Sequence, residues 1–194
     1  MELLEDRLRR GGRDAICFVE EFLFGDDRIT RTLQRLDEQF AAAQIRYAVT
    51  GDLACIVHGH VRTTCELEVL VDPDDQTRLP MLAASAYSFV STSRSLRDRQ
   101  TDVSIRWSAR SAHCVVEIDG VIYVGLAELI ESKLQPFIDG DRRIKGLADV
   151  IALVRARQLP LDFANQLRQS CRSKYTELWH DAQLSPELPS PQGE

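Results

Sequence analysis

The chain has no paired-cysteine motif, no long apolar run and no excess of basic charge, and each absence removes a class of function. Its five cysteines, Cys17, Cys55, Cys65, Cys114 and Cys171, stand singly along 194 residues. An odd number without a Cys-x-x-Cys pair suits neither a disulfide framework nor a structural zinc site, so buried free thiols are expected. No stretch reaches the roughly eighteen apolar residues of a membrane-spanning helix, and the opening MELLEDRLRRGGRD is too charged for a secretory signal. The corresponding expectation is a cytoplasmic protein without a membrane partner. Lys and Arg number 24 against 30 Asp and Glu, a net charge of −6, and the basic clusters DRRIK and RDRQ are short. No general nucleic-acid-binding surface follows from that balance, although one cleft can still hold a small anion through local groups.

What is present is a hydrophobic share of 44%, enough for one core of ordinary size and a small second lobe. Residues 1–44 read as N-terminal helices: one or two short ones broken at Gly11 and Gly12, then one with Ile29, Leu33, Leu36 and Phe40 at helical spacing behind the acidic residues Asp26 and Asp27. Residues 45–124 read as an α/β core. IRYAVT is a short strand, followed directly by a helix starting at Gly51, a strand–glycine–helix order that aims backbone amides at an anion. PDDQTRLPMLAASAYS reads as a helix, FVSTSRSLRDR as polar connection, TDVSIRW as a strand with Asp102, Ser104 and Arg106 on its polar face, and HCVVEIDGVIYVG as a hairpin or two short strands about Asp119 and Gly120. Residues 125–182 read as a helical lobe, with LDFANQLRQSCRSKYTELWHDA as one helix repeating Phe163, Leu167, Cys171 and Leu178. The Pro-rich 183–194 reads as a disordered tail. The fold class is α/β (α+β), with a mixed sheet of roughly four or five strands flanked by helices.

Chemistry concentrates in VRTTCELEVLVDP. Alternation puts Cys65, Leu67, Val69 and Val71 on one strand face and Glu66, Glu68 and Leu70 on the other. Two readings of the glutamates stay open. A solvated sheet face is the commoner fate of such a pair. Alternatively, pairing with the Asp102 strand gathers three carboxylates, whose repulsion a divalent cation with oxygen preference, Mg²⁺ above all, would relieve. His58 and His60 could bind metal but are more simply polar structural contacts, and Cys55 and Cys65 more simply small buried hydrophobes than reactive thiols. Asp149, on an otherwise apolar helix face, requires a cationic partner such as Lys133 or Arg143.

The run TGDLACIVHGHVRTTCELEVLVD resembles the signature of the nucleotidyltransferase superfamily, in particular the bacterial branch with the AbiEii-type abortive-infection toxins and the minimal nucleotidyltransferases. The matching residues are Gly51, His58, Gly59, Arg62, Thr64, Glu66, Glu68 and, in TDVSI, Asp102; LAELIESKLQPFIDGDRRIKGLADVIALV resembles the branch's helical segment with Lys133, Arg143 and Asp149. The likeness runs from about Ile45 to about Val154. It implies a nucleotidyltransferase fold with a C-terminal helical lobe and a Mg²⁺-dependent transfer from a nucleoside triphosphate to an RNA or protein acceptor, with toxin-like action as one case. It also implies Glu66, Glu68 and Asp102 as catalytic metal ligands, phosphate held at Gly51 and Asp52, and Arg62, Thr64, Lys133 and Arg143 as nucleotide-side or structural contacts. An antitoxin or a second copy of the chain would be the protein partner.

The sequence also departs from that pattern. The strand carries Glu-x-Glu where the family has Asp-x-Asp, and one added methylene moves each carboxylate by about an ångström against ligand distances of about 2.0 to 2.1 Å. Asp52 stands where Gly or Ser lets phosphate approach, and Gly146 where the family often has Asp. These departures imply a degenerate metal site. The alternative function is therefore a catalytically inactive member of the fold that binds a nucleotide or a protein.

Overall fold

The computed structural model describes residues 11–82, 86–90, 94–141 and 144–184. The expectations placed on 1–10 and on the tail beyond 184, and the candidate Arg143, lie outside the described residues. The chain divides compactly between Leu129 and Ile130.

The first unit opens with α1 (Gly12–Phe24) and α2 (Arg28–Ala42). The apolar stripe expected on α2 is buried at Ile29, Leu33, Leu36 and Phe40. Its N-terminus is met in part by the acidic pair, because Asp26 accepts the Arg28 amide at 3.1 Å, and in part by a residue of α1. The flanking Asp27 makes no side-chain cap; instead the buried Glu20 of α1 accepts the amides of Ile29 and Thr30 and the Thr30 hydroxyl. A carboxylate from the preceding helix thus supplies the acceptors that a helix start lacks. Burial nevertheless pushes the Glu20 carboxyl above its ordinary range, with the Thr30 and Ile29 donors acting against that shift.

Among the described residues, seven strands form one mixed sheet: β1 (Tyr47–Thr50), β2 (Glu66–Val71), β3 (Tyr87–Val90), β4 (Ser95–Asp98), β5 (Ser104–Ala109), β6 (Val115–Ile118) and β7 (Val121–Val124), in the order β3-β4-β5-β2-β1-β7-β6. Between β1 and β2 the chain forms α3 (Gly51–Val57). β2 is central, antiparallel to β1 and parallel to β5. Its alternation is as read: Leu67, Val69 and Val71 are buried in one cluster with Val49, Ile105 and the apolar residues of α1, α2 and α3, while Glu66 and Glu68 are only half-buried on the other side. The β6–β7 turn has Asp119 and Gly120 both at positive φ, 52° and 82°, the geometry an Asp-Gly hairpin turn requires.

Three features differ from the sequence expectation. The helix expected from Pro73 is reduced to a 3₁₀ turn (Gln76–Arg78) and a single short α4 (Leu79–Leu82). The polar connection after it contains β3 and β4, paired antiparallel from Tyr87↔Asp98 to Val90↔Ser95. Tyr87 and Leu96 are buried there while Ser88 and Arg97 face outward. Strands of four residues give too few alternations to stand out in a polar sequence. Finally, only Cys55 and Cys171 are buried thiols; Cys17, Cys65 and Cys114 are exposed.

Helix α5 (Leu126–Ile138) begins in the first unit and continues into the second, which adds α6 (Ile144–Arg157), a 3₁₀ segment (Leu161–Gln166) and α7 (Gln169–Gln183). The stretch read as one helix from Leu161 is two elements. Leu167 and Arg168 are extended, because the Arg168 amide and guanidinium both engage Glu131, at 2.5 Å and 3.0 Å. Phe163, Leu167, Cys171 and Leu178 are all buried as the periodicity requires, but a break at 167–168 carries the pattern across two elements. No described helix is long and apolar enough to cross a membrane.

Candidate functional site

The site expected from the sequence lies where β1 runs into α3 beside the start of β2. Thr50 pairs with Glu68, and the next residue, Gly51, opens α3 at φ 69°. A side chain at Gly51 would meet the Glu68 carboxylate: an added Cβ would lie 2.1 Å from Oε2. Glycine therefore serves both a left-handed turn and a close approach. The group that approaches is Glu68 itself, so the protein's own carboxylate packs on the residue expected to receive phosphate. The adjoining Asp52 faces Arg62, with Nε 3.7 Å from Oδ1 and both side chains mostly buried. Thr64 does not point at a ligand; its hydroxyl donates to the Glu66 carbonyl at 2.8 Å and fixes the entry into β2.

The neighbour of the two glutamates is set by strand register. β2 and β5 run parallel with Glu66 beside Ser104 and Glu68 beside Arg106. Residues in register on adjacent strands share a face, so Arg106 lies alongside the carboxylates. Its Nη2 donates to Glu68 Oε1 at 2.7 Å and also to Glu66 Oε1. The exposures are 37% for Glu66, 38% for Glu68 and 50% for Arg106, so water reaches all three. Together with Asp52 and Arg62, three carboxylates here face two guanidiniums.

Asp102 takes a different place from the one expected. It lies outside β5, in the turn that precedes it, at φ 61°, with its amide donating to the Asp98 carbonyl at 2.9 Å. Its carboxylate pairs with Arg97 at 2.7 Å and is 78% exposed. The turn is organised by Asp98, which is fully buried and accepts Arg35 Nη1 at 2.6 Å on each oxygen together with the amides of Gln100 and Thr101. The structure thus brings Glu66 and Glu68 together and adds Arg106, whereas Asp102 joins a turn ordered around Asp98. Arg106 was visible on the polar face of its strand in the sequence; what the sequence lacked was the register that sets it against Glu68.

His58 is buried, with Nε2 2.9 Å from the Val124 carbonyl, which joins the end of α3 to β7. In the second unit Lys133 pairs with the buried Asp149 at 2.9 Å, the cationic partner that a buried acid needs. Gly146 has a packing reason: a Cβ there would lie 2.5 Å from the Lys133 carbonyl. An aspartate could not be placed at that helix contact without moving backbone.

No family model matches the sequence, and no curated protein does. A solved structure is similar. It is described as an antigenic nucleotidyltransferase-like protein from Paracoccidioides brasiliensis, 15% identical, with a TM-score of 0.47 over 66% of this chain and 76% of that one.

Proposed function

We propose that this chain is a catalytically inactive, nucleotidyltransferase-like protein whose carboxylate strand has become part of an internal ion-pair cluster, and that its role is to bind a protein rather than to transfer a nucleotide. The order Gly51, Arg62, Thr64, Glu66, Glu68 on a strand, turn, helix and second strand supports the kinship. The observation that carries the loss of transfer is the Arg106 guanidinium bridging Glu66 and Glu68.

The residues do not fit Mg²⁺ as they stand. That ion takes oxygen ligands in near-octahedral geometry at about 2.0 to 2.1 Å. Here a cationic nitrogen already faces one oxygen of each carboxylate, and the expected third ligand, Asp102, is engaged with Arg97. A divalent ion would have to displace Arg106 against direct charge repulsion. These residues therefore offer no seat for metal-assisted transfer. A nucleoside triphosphate is disfavoured for a related reason, because its phosphates would approach Gly51 where Glu68 packs and Asp52 adjoins. Half-exposed ion pairs, by contrast, can exchange partners with charged side chains of another protein at small cost.

The second reading is the family's Mg²⁺-dependent transfer to an RNA or protein acceptor, toxin-like or not. It is favoured by the solvent exposure of Glu66, Glu68 and Arg106, which leaves room for Arg106 to swing away. Incubation with each of four α-labelled nucleoside triphosphates, Mg²⁺ or Mn²⁺, and cellular RNA and protein as acceptors decides between them. No label transfer above a Glu66→Gln/Glu68→Gln control is expected; transfer by the wild type that the control lacks overturns the inactive reading.

A further inference from the structure

We infer that Arg106 occupies the register position of a third metal ligand and acts as a built-in counter-ion, so that a single side chain keeps divalent cations off Glu66 and Glu68. The inference rests on the inactive reading above but makes a separate claim, namely that position 106 and not Asp102 completes the carboxylate set.

Glu68 and Arg106 are in-register neighbours on adjacent parallel strands, which lie about 4.8 Å apart, with side chains on one face. A carboxylate at 106 would project beside both glutamates, over the same patch that the guanidinium now covers at 2.7 Å from Glu68 Oε1. Asp102 precedes the strand, in a left-handed turn held by Asp98, and its carboxylate is on Arg97. That carboxylate is placed by the turn and paired with Arg97, whereas position 106 is placed by the strand register itself. Charge favours the same position. With Arg106 present, the two glutamates share one cation and their mutual repulsion is relieved; with Arg106 replaced by Asp, three like charges converge, and a divalent cation becomes the favourable compensation. The exposure of all three side chains means that ion entry needs no opening of the core.

The test is binding of Mn²⁺ alone, followed by its electron paramagnetic resonance signal and by calorimetry, on full-length wild type, Arg106→Asp, Arg106→Gln and Arg106→Lys. Circular dichroism establishes that each is folded. Wild type and Arg106→Lys, which keep the cation, are expected to show no saturable site. Arg106→Asp is expected to bind one or more ions at least about tenfold more tightly than any wild-type binding, a difference of about 1.4 kcal/mol. Arg106→Gln, which removes only the positive charge, should fall between them and serves alone if Arg106→Asp does not fold. Adding Glu68→Gln to the binding variant should abolish the site, whereas adding Asp102→Asn should leave it unchanged. The inference is overturned if wild type binds as tightly as Arg106→Asp, if neither Arg106→Asp nor Arg106→Gln gains binding, or if Asp102→Asn removes the gain. A failure here with no nucleotidyl transfer by the wild type leaves the inactive reading standing; transfer by the wild type sinks that reading whatever the variants do.

Discussion

Two arginine–carboxylate arrangements lie on one sheet and differ chiefly in burial. At the end of β4, Asp98 is wholly buried and receives the Arg35 guanidinium and two turn amides. On β2 and β5, Glu66 and Glu68 share Arg106 while remaining more than a third exposed. The first is architecture, because removing either partner strands a charge out of water. The second adds little stability, since solvent screens it and would compensate its members if they parted. The patch that looks most like a catalytic centre is thus held in its present form by weak, replaceable interactions, and the turn that displaces Asp102 by strong ones.

Loss of Asp98 should have the largest effect. Asp98→Ala should lower the unfolding free energy by about 3 to 5 kcal/mol in urea titrations, with Arg35 left largely buried and unpaired; a loss below about 1 kcal/mol would erase the distinction. Gly51→Ala probes the backbone under the exposed cluster. Its φ of 69° and the Glu68 carboxylate over it should make that change cost about 1 to 2 kcal/mol, read as a lower denaturation midpoint. Arg106→Gln should cost less than about 1 kcal/mol, and the difference from wild type should shrink as salt rises.

The smallest effect concerns a buried carboxylate compensated by amides and a hydroxyl rather than by arginine. Burial raises the Glu20 pKa, so between its unfolded and folded values the native state holds more proton than the unfolded one. Its contribution to stability is therefore fully present below the unfolded pKa and falls as pH rises through the raised folded value. Glu20→Gln should remove that downward slope. Urea midpoints of the two proteins across mildly acidic to neutral pH check it: wild type should lose ground relative to the variant as pH rises.

Features set by local chemistry were legible in the sequence. The alternation of β2, the Asp119–Gly120 hairpin turn, the Gly51 turn and the apolar stripe of α2 each depend on neighbours within a few residues. The features that decide the site are long-range. Parallel register set Glu68 beside Arg106 across 38 positions, and no local pattern encodes which of Asp102 and Arg106 comes to face the glutamates. Burial of Asp98 drew Gln100 and Thr101 into a turn and left Asp102 outside the strand that its alternation suggested. The break at Leu167 and Arg168 arose the same way, through Glu131 more than thirty residues earlier. Nor could the sequence tell that Gly146 answers to the Lys133 carbonyl rather than to a missing catalytic aspartate.

In this reading Arg106, and not a metal ion, compensates Glu66 and Glu68. A crystal structure of the wild type grown with MnCl₂ and a nucleoside triphosphate, with data collected at the manganese absorption edge, tests it most directly. No anomalous peak is expected at the carboxylates, with Arg106 still bridging them. A manganese peak shared by Glu66 and Glu68, with Arg106 turned away, would contradict it.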